Sequence, residues 1–340
     1  MLTKATVIGA GAMGTVMAQV LDSNNIKVEL LARPEELDDL VVARENRRYL
    51  PGMRLAPGIS PTDDPRIALS HTELIISAYP CQYLRGMWEQ LGRQVPEGVP
   101  ICSITKGIEV GTLKRPTQII AEYAPRNPLA VLSGPSIAHE LARCLPATVA
   151  VASEHPEIAD LVQSAVGTSW FRIYTNPDVI GVELAGALKN VIALAAGILD
   201  GLRAGDNAKS ALVTRGLVEI TRLAVAMHAR PETFVGLAGV GDLITTCISP
   251  HGRNRTAGQR IGEGRPVDQV VRESVSVIEG IPTTRAVLEL ARRCQVEMPI
   301  TQAVYDVLFN AKSPLTAITE LMSRPQKAET VVDKPIQNSK

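Results

Sequence analysis

The stretch VIGAGAMG, residues 7–14, decides the fold, because it joins a short apolar strand to a helix through a glycine-rich turn. Its glycines, Gly9, Gly11 and Gly14, match the pattern GxGxxG. In this pattern the first glycine makes the turn, the second lets a pyrophosphate approach the backbone, and the third allows close packing of helix on strand. A glycine-rich turn without a ligand is the alternative. The strand before the turn and the helix after it favour a dinucleotide site.

Short apolar runs rich in β-branched residues alternate with helical stretches through the first half of the chain. The runs are ATVIG, KVELLA, ELIISA, PICSIT, PLAVLSG, ATVAVAS and FRIYT. Strands and helices at this spacing predict βαβ units in a Rossmann-like, doubly wound, mostly parallel sheet. From Val179 to about Leu321 nearly every stretch is typical of helix. We therefore predict an α/β fold with three parts: a dinucleotide-binding domain over 1–177, an all-helical substrate and catalytic domain over 178–324, and a loose polar tail over 325–340.

Composition and charge exclude several classes of function. The 340 residues carry 35 acidic and 35 basic side chains, so nothing global favours nucleic acid or an anionic membrane. The five cysteines form no CxxC or Cys/His cluster, which favours reduced thiols in a cytoplasmic protein and no metal site. Glycines interrupt the N-terminal apolar stretch, which argues against a signal peptide, and no apolar run reaches the length of a membrane span.

The end of the second predicted strand indicates which dinucleotide is preferred. An NAD enzyme usually places Asp or Glu there, against the ribose 2′-hydroxyl. Here KVELLA ends at Arg33, which would attract a 2′-phosphate and stack on adenine. Glu35 could still serve a plain ribose, and an exposed surface arginine is the alternative. We expect NADP or NAD, with NADP favoured.

The carboxyl ends of the parallel strands should meet at one ligand-binding edge of the sheet. Lys106 follows its strand directly and precedes a glycine, so we expect it to overlook nicotinamide and substrate. A surface lysine after a strand is equally common. The segment SGPS, residues 133–136, ends another of these strands.

The helical half contains a lysine in an unusual setting. Lys189 lies within ELAGALKNVIALAAG, residues 183–197, where apolar neighbours would desolvate its amine. Desolvation lowers the pKa of a lysine towards neutrality, which suits a group that donates a proton at physiological pH. The alternative is a lysine whose stem reaches water along an amphipathic helix. Asp242, in the glycine-rich GLAGVGDLITTC, is a natural partner for the cation.

A basic segment follows. HGRNRTAGQR, residues 251–260, contains three arginines and no acidic residue, and Ser249-Pro250 just before it is typical of a helix start. Arginine forks beside a helix N-terminus would bind a small phosphate. A solvated basic helix is the alternative.

These segments, in this order, resemble the bacterial-type NAD(P)-dependent glycerol-3-phosphate dehydrogenases. The resemblance covers about residues 7 to 310. It is carried by VIGAGAMG, Asn46-x-x-Tyr49-Leu50-Pro51-Gly52, TKGIE, SGPSIAHEL, VELAGALKNVIALAAGILDGLRAGDNAKSALVTRGL, GLAGVGDLITTC, GRNR, VIEG and MPITQAVYDVL.

The resemblance implies reversible reduction of dihydroxyacetone phosphate to sn-glycerol 3-phosphate, a phospholipid precursor, by a cytoplasmic homodimer without a metal. It implies that Lys189 is the catalytic acid/base, that Lys106 contacts both ligands, and that Asp242 orients the lysine or a substrate hydroxyl. The other implied substrate-binding residues are Gly134, Ser136, Gly252, Arg253 and Asn254. The implied cofactor-binding residues are Gly9, Gly11, Ala12, Met13, Gly14, Arg33, Tyr49, Lys106, Ala138, Arg253, Val277 and Glu279.

Three positions depart from the pattern of the family. Ala12-Met13 stands where serine and an aromatic residue are common, Ala78-Tyr79-Pro80-Cys81 replaces an apolar-Pro-Ser sequence, and Gly252 stands where serine often precedes Arg-Asn. We expect these changes to affect affinity more than reaction class.

Two other functions fit the same plan. One is a ketopantoate reductase or another β-hydroxyacid dehydrogenase, whose substrate would carry a carboxylate. The other is a nucleotide-binding regulatory protein that has lost catalysis, against which the joint presence of Lys106, Lys189 and Asp242 argues.

Overall fold

The computed structural model describes residues 2–326 and 328–329. The strands are β1 (Lys4–Ile8), β2 (Lys27–Leu31), β3 (Ile59–Thr62), β4 (Leu74–Ser77), β5 (Ile101–Ser103), β6 (Leu129–Ser133), β7 (Ala147–Ser153) and β8 (Phe171–Asn176). The first helices are α1 (Ala12–Ser23), α2 (Pro65–Leu69), α3 (Cys81–Leu91), α4 (Pro116–Tyr123), α5 (Ala138–Leu141) and α6 (Pro156–Val166). The later helices are α7 (Val179–Gly201), α8 (Asp206–Ala226), α9 (Pro231–Phe234), α10 (Asp242–Ile248), α11 (Arg253–Gly262), α12 (Val267–Arg272), α13 (Gly280–Arg293), α14 (Pro299–Phe309) and α15 (Pro314–Met322).

The strands form one sheet in the order β3-β2-β1-β4-β5-β6-β7-β8. All neighbouring strands pair in parallel except β6 and β7, so the predicted Rossmann-like, mostly parallel sheet is confirmed. The chain reverses its direction of travel between β1 and β4, and the carboxyl ends of strands at such a point form a ligand-binding crevice. The site expected at the glycine turn therefore lies at this crevice.

Strand β3, with the sequence ISPT, was absent from the strands predicted by pattern. It contains Pro61, which lacks an amide hydrogen and is normally excluded from central strands. The structure places this strand at the edge of the sheet, beside β2 alone, where one side of the backbone needs no partner strand.

Helix α7 is the centre of the helical half. Every residue from Gly181 to Leu199 is buried, because the neighbouring helices and the sheet cover this helix on all sides. It is the one helix in the described ranges that is long and apolar enough to cross a membrane, and 94% of its most apolar window is buried inside the protein. Such burial is that of a core helix. The predicted polar tail lies, from residue 330 onwards, outside the described residues.

Glycines bring α11 into backbone contact with α7. A Cβ atom at Gly197 would overlap the carbonyl oxygen of Arg255, and one at Gly258 would overlap that of Leu194. The same holds one turn further on for Gly201 and Gly262. Paired glycines four residues apart on both helices therefore let the two backbones approach as no larger residue would allow. This contact fixes the start of α11 relative to α7.

Helix α7 is also fixed to the sheet domain. The buried carboxylate of Glu183 accepts hydrogen bonds from the backbone N–H of Thr117, at 2.8 Å, and from its hydroxyl, at 2.7 Å. It also pairs with Arg115. Since these residues begin α4, a carboxylate from one half of the molecule caps a helix of the other. The position of Lys189, six residues further along α7, is thus tied to the dinucleotide-binding half.

Candidate active site

The turn between β1 and α1 has the backbone that a dinucleotide requires. Gly9 has φ of +105°, a conformation that favours glycine, and a Cβ at Gly14 would overlap the carbonyl oxygen of Gly9. At Gly11 the space a Cβ would enter is open. No side chain caps the helix that begins at Ala12. A pyrophosphate fits here, because the free helix N-terminus can bind it and Gly11 leaves it room.

An asparagine holds this turn, and the prediction of site residues missed it. The Nδ2 of Asn46 donates to the Ala10 carbonyl and the Thr15 hydroxyl, both at 2.7 Å. Its Oδ1 accepts from the backbone N–H of Tyr49 at 3.1 Å. The motif Asn46-x-x-Tyr49 therefore connects the glycine turn to Tyr49, a residue implied to bind the cofactor. The spacing of the motif was visible in the sequence, but its partners, more than thirty residues away, were not.

Arg33 follows β2 and lies beside the turn. Its guanidinium donates to Glu36 at 2.6 Å and to the Tyr49 hydroxyl at 3.1 Å, and it pairs with Glu35 at 3.0 Å. The hydrogen bond that it donates to Glu36 raises the pKa of this guanidinium above its usual range. Arg33 is therefore held by its neighbours' side chains at the position where the ribose of the cofactor is expected.

Two lysines and one carboxylate meet in the cleft. The Nζ of Lys189 donates to Oδ1 of Asp242 at 2.6 Å, and the Nζ of Lys106 donates to Oδ2 at 2.7 Å. Asp242 is 2% exposed and Lys189 is 6% exposed, whereas the side chain of Lys106 is partly open to the cleft. The structure thus joins the three residues that the sequence predicted for catalysis. Their combined charge is positive, which suits a phosphorylated substrate.

Burial sets the acidity of Lys189. Removal of its ammonium from water lowers its pKa from 10.5 to about 8, and the positive charge of Lys106 acts in the same direction. Asp242 opposes this shift by stabilising the charged form. The amine is therefore protonated at neutral pH but close enough to its pKa to release the proton.

Lys106 is placed by the loops at the ends of β5 and β6. Gly107, which follows it, has φ of +149°, and the Lys106 ammonium also donates to the Gly134 carbonyl at 3.3 Å. That carbonyl accepts the Ser136 hydroxyl at 2.8 Å as well. On α7, a Cβ at Gly186 would lie 2.7 Å from the Ser133 hydroxyl and 3.5 Å from the Lys106 stem. Gly186, another residue that the prediction missed, therefore leaves space for the Ser133 hydroxyl, beside the Lys106 stem.

The start of α11 reaches the same cleft. Asn254 accepts the backbone N–H of Gly280 at 2.8 Å, and Gly280 packs against the backbone of Asn190, the residue after Lys189. Arg253 begins α11 close enough to Glu279 for their charges to interact. The other two arginines of the basic segment point to other partners: Arg255 pairs with Asp200 and Arg260 with Glu273. The expected anion site therefore narrows to Arg253 and Asn254.

Glu279 connects the two halves across the cleft. Its Oε1 accepts the backbone N–H of Cys81, at the start of α3, at 3.0 Å. Its buried Oε2 has no hydrogen-bond partner among the described residues and faces Gly107. Burial raises the pKa of this carboxyl to about 7. A carboxylate oxygen without a partner at this place fits the implied contact of Glu279 with the cofactor.

The remaining predicted residues lie around these groups. Met13 and Ala138 are partly buried against the apolar core of the sheet domain, and Val277 is partly buried two residues before Glu279. Two of the residues that depart from the family pattern, Tyr79 and Gly252, lie next to the glycine turn and at the start of α11. The Tyr79 ring lies against Gly9, and Gly252 precedes α11 with no side-chain cap. In the described ranges no three His, Cys, Asp or Glu side chains come together as a metal site.

Comparison with known proteins gives a consistent family for both halves. The family model described as NAD-dependent glycerol-3-phosphate dehydrogenase N-terminus matches residues 4–159, and the corresponding C-terminus model matches residues 178–319. A glycerol-3-phosphate dehydrogenase [NAD(P)+] from Desulfitobacterium hafniense is 46% identical, over 96% of this chain and 93% of that protein. The crystal structure of a glycerol-3-phosphate dehydrogenase from Coxiella burnetii superimposes with a TM-score of 0.92 at 34% identity, covering 95% of this chain and 99% of that one.

A ketopantoate reductase from Ralstonia eutropha is also similar in structure. Its TM-score is 0.58 at 14% identity, over 93% of this chain and the whole of that chain. Identity this low shows a shared fold and leaves the keto-acid alternative without support from sequence.

Proposed function

Because the chain belongs to the family of NAD-dependent glycerol-3-phosphate dehydrogenases, we propose that it interconverts dihydroxyacetone phosphate and sn-glycerol 3-phosphate with NAD(P) as its cofactor. The single observation that carries this proposal is the Lys189–Asp242–Lys106 arrangement in the cleft beside the glycine turn. The reaction yields the glycerol phosphate from which phospholipids are made.

Lys189 is the proton donor for the reduction. When bound, the reduced nicotinamide supplies the hydride that forms the new C–H bond at the carbonyl carbon. The Lys189 ammonium breaks one N–H bond and gives that proton to the carbonyl oxygen, which becomes the hydroxyl of the product. In the reverse direction the neutral amine takes the proton back. A pKa of about 8 makes both forms accessible near neutral pH.

Asp242 and Lys106 organise this transfer. Asp242 holds both ammonium groups through its two oxygens, so it orients Lys189 and offsets part of the repulsion between the two cations. Lys106, the more accessible of the two, is placed to contact both the substrate and the nicotinamide. Gly134 and Ser136 line the same loop, and their contacts support a substrate role for that loop.

Arg253 and Asn254 are our proposed phosphate site, with Gly252 leaving the start of α11 uncapped. The free N–H groups of a helix N-terminus and an arginine fork both favour a dianion. The contact between α7 and α11 supports this assignment, because it holds the phosphate site close to Asn190 and hence to Lys189.

We also propose that NADP is favoured over NAD, with Arg33 binding the 2′-phosphate and Tyr49 supporting Arg33. The five free cysteines are consistent with the reducing environment of the cytoplasm. A homodimer and a cytoplasmic location remain parts of this proposal. So do the domain limits at 177 and 324 and the cofactor contacts of Gly9, Ala12, Met13, Gly14, Ala138, Val277 and Glu279.

The test is the initial rate of NADPH or NADH oxidation with dihydroxyacetone phosphate, for wild type, Lys189→Met and Lys114→Met. The control lysine, Lys114, pairs with Glu122 at the surface. We expect Lys189→Met to lower kcat by about 1,000-fold or more, since general acid catalysis contributes on this order, and Lys114→Met to match wild type. Calorimetry must show that each variant still binds cofactor. Wild-type protein that binds cofactor but turns over keto acids in place of triose phosphate would contradict the proposal.

A further inference from the structure

The side chains around Arg33 form a compact charged cluster at the expected ribose position. The Nε and Nη2 of Arg33 both donate to Oε1 of Glu36, at 3.2 and 2.6 Å. The other carboxylate oxygen of Glu36 accepts the backbone N–H of Arg33 at 3.1 Å. Glu36 is thus held from two sides, and its carboxylate occupies one whole edge of the guanidinium.

The two acidic neighbours of Arg33 differ in setting. The Glu36 side chain is 11% exposed, whereas that of Glu35 is 56% exposed and makes one contact, to Nη1 at 3.0 Å. A largely exposed ion pair contributes little to binding or stability, since water screens it. A partly buried carboxylate with hydrogen bonds to a fixed fork is a much stronger competitor for that fork. From the sequence, Glu35 could serve a plain ribose, but in the structure Glu36 is the carboxylate that is hydrogen-bonded more firmly to Arg33.

We propose that Glu36 is a specificity-determining residue for the ribose 2′ position. Its carboxylate competes with a 2′-phosphate for the Arg33 fork, and it accepts the 2′-hydroxyl when no phosphate is present. This inference rests on the proposed function for its ligand class, an adenine dinucleotide.

The chemistry of the two ligands makes this competition selective. A 2′-phosphate brings negative charge and needs the same donors that Glu36 holds, so the carboxylate must move aside against like-charge repulsion. A 2′-hydroxyl is a neutral donor and can join the pair without displacing it. Glu36 therefore lowers affinity for the phosphorylated nucleotide and supports the plain one, which keeps NAD usable by a site that contains an arginine.

Binding of two fragments tests this inference without turnover. The probes are ADP and adenosine 2′,5′-bisphosphate, titrated by calorimetry into wild type, Glu36→Gln, Glu35→Gln, Arg33→Gln and the Arg33→Gln/Glu36→Gln double variant. Glutamine keeps an oxygen that can accept the Arg33 backbone N–H, so the local fold should survive. Glu35→Gln is the matched control, because it changes the net charge by the same amount but removes a carboxylate that contacts Nη1, away from the Nε–Nη2 edge that Glu36 occupies.

We expect Glu36→Gln to raise the affinity for the bisphosphate relative to ADP about tenfold, and Glu35→Gln to change this ratio less than about threefold. In the Arg33→Gln background the effect of Glu36→Gln should disappear, because the carboxylate acts through the fork. Equal effects of the two glutamines, weaker bisphosphate binding by Glu36→Gln, or an effect that persists without Arg33 would each overturn the inference. Failure of wild type to bind either nucleotide would instead contradict the proposed function.

Discussion

Glycine has different uses in the two halves of this protein. In the turn at residues 9–14, Gly11 faces open space that a ligand can enter. In the crossing of α7 and α11, Gly197, Gly201, Gly258 and Gly262 face the backbone of the opposite helix. The first set leaves room for a molecule from outside, and the second leaves room for the protein itself. Under the proposed function both are needed, because the turn would bind the cofactor and the crossing would hold the proposed phosphate site, Arg253 and Asn254, near Lys189.

This difference shows that the role of a glycine-rich motif can be recognised from sequence only when the residues it contacts are close by in the chain. The turn is complete within eight residues, and its pattern is that of a known ligand geometry. The crossing pairs Gly197 with a helix that begins more than fifty residues later. Substitutions at the two sites should therefore affect different properties.

The largest effect is expected in the crossing. Gly197→Val would force α7 and α11 apart, since its side chain overlaps the Arg255 carbonyl, and we expect a loss of about 3 kcal/mol in the free energy of unfolding. Urea denaturation measures this change. The control is Gly86→Ala on α3, where no atom lies within 4 Å of the added Cβ and alanine should stabilise the helix by up to about 1 kcal/mol. Equal free energies of unfolding for Gly197→Val and Gly86→Ala would contradict the packing role of Gly197.

The turn should show the opposite behaviour. Gly11 has φ of −67°, which any residue can adopt, so Gly11→Val should leave the melting temperature within about 2 °C of wild type. Its side chain would occupy the space of the pyrophosphate, and we expect the Kd for ADP to rise about 100-fold. Scanning calorimetry and nucleotide titration test both halves of this statement. A strong fall in stability would mean that Gly11 also serves packing.

The pH dependence of kcat should distinguish the glycine turn from the Lys189 site. Lys189 is protonated below its pKa, so kcat for reduction should fall about tenfold per pH unit above about pH 8, whereas kcat for oxidation should rise towards that pH. Gly11→Ala should raise the KM for the cofactor and leave this limb of the kcat profile in place. Lys106→Gln removes a neighbouring cation and should shift the limb to higher pH. A limb that stays fixed in Lys106→Gln would argue against Lys189 as the titrating group.

The smallest effect concerns Gly186, where a glycine makes room for side chains. A Cβ there would lie 2.7 Å from the Ser133 hydroxyl but an ordinary 3.6 Å from its Cβ. We expect Gly186→Ala to lower kcat/KM about threefold, through a small displacement of Lys106, and Ser133→Ala to restore it in the double variant. The Ser133 hydroxyl has no hydrogen-bond partner within the described ranges, so its removal alone should be nearly neutral. Steady-state kinetics of wild type, Gly186→Ala, Ser133→Ala and the double variant tests this double-mutant cycle.

Much of the fold followed from local patterns. Seven strands were visible as apolar β-branched runs, and the helical half as continuous helical stretches. The edge strand Ile59–Thr62 was missed because ISPT is short, polar and contains proline, so only its pairing with β2 identifies it as a strand. Lys106, Lys189 and Asp242 could be proposed because charged residues beside buried segments need partners. The pairing of Asp242 with Lys189 was predicted as well. The contact of Lys106 with the same carboxylate was not, since Lys106 lies 136 residues before Asp242 along the chain.

The sequence by itself determined the sheet, the dinucleotide turn and the chemistry of the candidate catalytic residues, because periodicity, glycine spacing and desolvation are local properties of a chain. Tertiary structure alone decided that Glu36 holds Arg33, that Asn46 holds the turn, and that glycines on two distant helices bring Arg253 and Asn254 towards Lys189. These contacts depend on distances across the fold of a few ångströms, and the order of residues along the chain does not encode such distances in any local pattern.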